Sequence, residues 1–99
     1  MLDYLHVLAV ARRLPGIVSR LCPNSSMVQD CLTVNAQLVL LANPLVSLPV
    51  ERQAVGTERT SIIILMNTLL EELSKRLIDA KIVSPEELVE CERDIDYSI

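Results

Sequence analysis

The chain contains no phenylalanine and no tryptophan, and Tyr4 and Tyr97 are its only aromatic residues. A core without large rings has to be aliphatic, and 17 Leu, 11 Val and 8 Ile among 99 residues supply it. Glycine occurs only at Gly16 and Gly56. So little glycine leaves no loop to cradle a phosphate or an oxyanion. Runs of alternating apolar and polar residues, the mark of a half-buried strand, are also missing. His6 is the single histidine, which is too little for a nucleophile with a positioned base and an orienting third group. Together with Cys22, Cys31 and Cys91 it matches no zinc-ligand spacing. Three widely spaced cysteines read as reduced thiols and not as the disulfide framework of a small secreted domain. The sequence therefore predicts no catalytic residue, no cofactor and no metal.

Clustered positive charge is missing as well. The formal net charge is -4, distributed as +1 over residues 1–30, zero over 31–50 and -5 over 51–99. That distribution lacks the electrostatic footprint of most nucleic-acid binders. The apolar N-terminal run has Asp3 inside it and Arg12 and Arg13 after it, the reverse of a secretory leader, so the cytoplasm is the expected compartment.

The charge-free residues 31–50 form the most informative stretch. They must be buried in the chain's own core, against a second copy or in a bilayer. Asn35, Gln37, Asn43, Pro44 and Pro49 interrupt the run, which argues against a membrane span.

With prolines as punctuation, the pattern predicts an all-α single domain with helices over about 2–14, 26–42, 50–82 and 85–94. The first carries Leu5, Leu8 and Arg12 on successive turns and stops at Pro15-Gly16, with one further turn over 17–21. Ser25 or Ser26 caps the second, which has Val28, Cys31, Leu32, Leu38 and Leu41 on one side and ends at Asn43-Pro44. A connector containing Pro49 leads into the third, whose stripe is Val55, Ile62, Met66, Leu69, Leu70, Leu73, Leu77 and Ala80. At the standard rise this helix spans roughly 45 to 50 Å, longer than the diameter of a compact domain of this size, so its end should meet a partner. Ser84-Pro85-Glu86-Glu87 announces the last helix: a capping serine, proline in the first turn and carboxylates at the positive end of the dipole.

The expected architecture is an antiparallel hairpin of the second and third helices, closed at the sides by the other two and paired into a dimeric bundle. Leu38, Leu41, Ile62, Met66, Leu69 and Leu73 are the candidate interface residues. Arg52, Glu58 and Arg59, from the Glu-Arg pairs repeated seven residues apart, form a candidate polar contact patch.

Residues 53–62 resemble the turn and second helix of the helix-turn-helix DNA-binding family. That resemblance implies Arg59, Thr60 and Ser61 as DNA contacts, within a unit over 50–66 that departs from the pattern at Arg52 and in its apolar continuation. Residues 73–88 resemble short helical tail modules, which implies an interaction or oligomerisation element. The functional expectation is a small self-associating scaffold, adaptor or partner-binding module without catalytic chemistry, a homodimer with a protein partner. A DNA-binding regulator is the alternative.

Overall fold

A computed structural model describes residues 2–47 and 56–93. The described residues form helices and the turns between them, with no strand among them. Four helices follow in order: α1 Tyr4–Leu21, α2 Met27–Ser47, α3 Gly56–Asp79 and α4 Pro85–Arg93. Ion pairs between their ends mark their directions. Asp3, just before α1, meets Arg59 in the first turn of α3 at 3.7 Å, so these helices run parallel. Asp30 in the first turn of α2 meets Arg76 in the last turn of α3 at 3.9 Å, so α2 and α3 run antiparallel. The molecule is an up-down-up bundle of α1, α2 and α3, with α4 packed against α1.

The core is made by one face of each helix. Val7, Val10, Ala11, Leu14 and Val18 come from α1, and Cys31, Val34, Leu38 and Ala42 from α2. Met66, Leu70, Leu73 and Leu77 come from α3, joined by Val83 and by Leu88 of α4. In α1 this is a different face from the one expected: Leu5 and Arg12 are exposed and Leu8 is half-buried. A helix with valine and alanine on one side and leucine on another offers two apolar stripes. Close contact between helix backbones favours the stripe of smaller residues.

Both internal prolines were expected to end helices, and neither does. α1 continues through Pro15 to Leu21, and α2 continues through Pro44 to Ser47. An interior proline costs about 3 kcal/mol through the lost hydrogen bond and the ring clash. Buried apolar side chains straddle each one, Leu14 and Val18 in α1 and Ala42 and Leu45 in α2. Full burial of a Val or Leu side chain is worth about 1.5–3 kcal/mol and of an alanine methyl about 0.8 kcal/mol, so Leu14 with Val18 offsets the break in α1, and Leu45 with Ala42 offsets it more narrowly in α2.

The third helix is described over 24 residues, which is about 36 Å at the standard rise. It fits within the 44 Å length of the molecule, so its length gives no reason for its end to meet a partner. The expected start near Pro49 lies outside the described residues. At its other end α3 stops at Asp79, short of residue 82, in a turn where Lys81 has φ 60°. Ile82 N–H donates to the Leu77 carbonyl at 3.1 Å and Lys81 N–H to that of Ile78 at 2.9 Å. These two bonds define a Schellman ending, with lysine at the position where glycine is usual.

The short α4 starts with a reciprocal capping box. Glu87 N–H donates to Ser84 Oγ at 3.2 Å, and Ser84 N–H donates to Glu87 Oε1 at 3.1 Å. At the start of α2 the Ser25 hydroxyl oxygen accepts from Met27 N–H at 3.1 Å.

Candidate functional site

The six candidate interface residues divide into two groups. Leu38, Met66 and Leu73 are fully enclosed in the chain's own core, which leaves them no surface to present. Leu41, Ile62 and Leu69 are half-buried and packed against the margin of that core. A stripe at helical spacing shows that a face is apolar, but a helix covered by its own chain and one covered by a copy carry the same stripe.

The second group shares a seam. Helix rotation of 100° per residue places Ile62, Leu65 and Leu69 on the side of α3 that also carries Arg76, and places Gln37 and Leu41 on the side of α2 that carries Asp30. Because Asp30 and Arg76 meet, those sides face each other across the groove between α2 and α3. Leu65, on that side of α3, is 46% exposed, and Leu40, on the outer side of α2 opposite the core residue Leu38, is 73% exposed. Neither was among the candidates, although both lie next in sequence to residues of the apolar stripes.

In the polar patch, Arg59 is already engaged within the chain. Its guanidinium pairs with Asp3 and lies 5.6 Å from the centroid of the Tyr4 ring. Thr60 and Ser61 are exposed on the same helix. Arg52, the Glu58 side chain and the first half of the helix-turn-helix resemblance fall outside the described residues. The second half belongs to the uninterrupted α3, whose Ile63 and Met66 are core residues.

A cavity of about 430 Å³ lies beside the N-terminal segment, between α3 and α4. Leu70, Ile78 and Leu88 line it, with the exposed Glu71 and Lys75 at its edge. Buried Asn67 also lines it and fastens the N-terminal segment beside it. Leu2 N–H donates to Asn67 Oδ1 at 2.9 Å, and Asn67 Nδ2 donates to the Leu2 carbonyl at 2.8 Å and to that of Ile63 at 2.9 Å. The side-chain amide thus pairs with a backbone unit as another peptide would. The one mark of this anchor in the sequence is a polar residue inside an apolar stripe.

Cys31 is enclosed, and burial pushes its thiol above the ordinary value, with the neighbouring Asp30 carboxylate acting in the same direction and Arg76 opposing. Cys22 is half-buried. Among the described residues no group of three or more His, Cys, Asp or Glu side chains is arranged to hold a metal ion. No described helix is long and apolar enough to cross a membrane. Comparison with protein-family models, with curated proteins and with solved structures finds no match.

Proposed function

We propose that this chain is a small helical module that acts by association, with itself and through itself with other proteins, and not by catalysis. The observation that carries this reading is the set of aliphatic side chains exposed on the outer sides of α2 and α3. Leu32, Val39 and Leu40 of α2 and Ile64 and Leu65 of α3 stand in solvent, on the same helices as half-buried Leu41, Ile62 and Leu69. Scattered exposed aliphatic residues are ordinary on any protein, whereas a contiguous apolar patch is a recurrent feature of interaction sites. Reduced thiols, one of them enclosed, are compatible with the cytoplasm as the compartment.

Static light scattering after size exclusion, over a hundredfold dilution, tests the reading. A dimer that dissociates only on dilution is the expected result. A monomer throughout the range overturns it.

A further inference from the structure

We infer that Asn67, the cavity beside it and Arg59 form a docking site for an extended segment of a partner protein, a large apolar residue followed by an acid. Residues 2–3 of this chain fill the site when no partner is bound. The inference rests on the partner binding proposed above and names its site.

The contacts of residues 2–3 have the form of peptide recognition. Asn67 meets both backbone groups of Leu2, accepting from its N–H at Oδ1 and donating from Nδ2 to its carbonyl, at 2.9 and 2.8 Å. Neither bond reads the side chain. Selection by side chain falls to the cavity, which Leu2 lines together with Leu70, Ile78 and Leu88. The next residue, Asp3, pairs with Arg59 at 3.7 Å. Main-chain bonds for affinity and a pocket for one side chain are how extended peptides are commonly held.

The segment is placed to leave without disturbing its receptor. Residues 2–3 precede α1, Leu2 is half-buried and Asp3 is exposed. The Asp3–Arg59 pair, with side chains 55% and 34% exposed, holds only weakly. Short stretches outside helices with few buried contacts open at low cost. Asn67 Nδ2 also donates to the Ile63 carbonyl, one turn earlier in α3, at 2.9 Å, and this bond keeps the amide in place after Leu2 departs.

The vacated site selects its occupant. Asn67 is only 7% exposed, so a donor and an acceptor left there without partners are costly. A peptide unit supplies both, one N–H and one carbonyl, whereas an acyl chain supplies neither and a phosphate only acceptors. A nucleobase offers both as well, but its phosphates meet a chain of net charge -4. Arg59 favours Asp or Glu at the second position. A tethered segment competes at an effective concentration in the millimolar range, so the incoming one has to make contacts that Leu2 does not. The 430 Å³ that stay open beside Leu2 provide them, which is why the first position prefers a side chain larger than leucine.

The probe is the blocked peptide acetyl-Ser-Phe-Asp-Ser-amide, titrated by two-dimensional NMR into the isotope-labelled full chain, as wild type and with Leu2→Gly and Asp3→Ser. The variant should bind at millimolar or lower concentration, with shifts at the Asn67 side-chain amide, Leu70 and Leu88, and the wild type about tenfold more weakly because its own segment competes. The counterpart peptide with Gly for Phe should not bind. Adding Arg59→Glu to the variant should reverse its preference between the Asp peptide and one with Lys in that place. If circular dichroism shows that the double substitution lowers the helical signal, Leu2→Ala alone takes its place. No saturable shift, shifts away from Asn67 and the cavity, or equal binding of the Phe and Gly peptides overturns the site. If the substitutions at residues 2 and 3 dissociate a wild-type dimer in light scattering, the occupant is this segment of a second copy and the external partner is overturned. A wild-type monomer that binds the peptide supports the site and overturns self-association alone, and a dimer that binds no peptide does the reverse.

Discussion

At the residue scale, two buried side chains carry chemistry that an apolar replacement would lack. Asn67 uses both amide atoms on Leu2 and Ile63, so Asn67→Ala removes the two-point anchor of the N-terminal segment. The expected cost is about 1–3 kcal/mol, the range for leaving partly buried polar groups unpaired, read from the urea midpoint. Cys31 bears on pH. Its proton is held more tightly in the folded chain than at the ordinary value of 9.0, because the thiolate would be desolvated and would face Asp30. An acid whose folded pKa is raised favours the folded state below the unfolded pKa, and that contribution is lost as pH rises through the folded one. Urea titrations between pH 8 and pH 10.5 should therefore show stability falling more steeply for the wild type than for Cys31→Val. Below pH 8 the thiol should resist alkylating reagents until the chain unfolds. Cys31 was legible from residue type as a reduced, semi-buried thiol with Asp30 beside it in sequence, whereas its full enclosure and the approach of Arg76 required the packing of α2 on α3.

At the element scale, helix starts were easier to read than helix ends. Ser84-Pro85-Glu86-Glu87 forms the capping box that its spelling announces, because a cap is a local bond among neighbouring residues. Pro15 and Pro44 were misread because their cost is local and what offsets it is not. The residues that straddle them, Leu14, Val18, Ala42 and Leu45, are buried by other helices. The end of α3 was also hidden. Its Schellman bonds converge on Lys81, which occupies the left-handed region without being glycine. Lys81→Gly relieves that strain and should raise stability by roughly 0.5–1 kcal/mol, measured by thermal or urea unfolding. A loss of stability would mean that the lysine side chain holds the turn by a contact outweighing its backbone cost.

At the scale of the whole molecule, leucine has two different roles. Leu73 is fully enclosed among three helices, while Leu40 is mostly in solvent. Leu73→Ala should cost about 2–5 kcal/mol, a large share of the 5–15 kcal/mol typical of a domain. Measured on the monomer at high dilution, Leu40→Ala should change stability by less than about 0.5 kcal/mol. The contrast separates core from surface, which the sequence merged when it grouped Leu38, Met66 and Leu73 with Leu41, Ile62 and Leu69. Leu69→Asp would for the same reason be a poor test of association, since a half-buried position risks the fold along with the interface.

The sequence by itself determined that the chain is helical, that its core is aliphatic and that one long stretch is free of charge. Composition and 3.6-residue periodicity are properties of the covalent chain. Only the tertiary structure decided which of two stripes on α1 turns inward, that both prolines lie within helices and that Asn67 holds the N-terminus. It also decided that Leu40 and Leu65 are exposed while Leu38 and Leu73 are enclosed. Each of these depends on which helix lies beside which and in what direction, and that is set by side chains far apart in sequence.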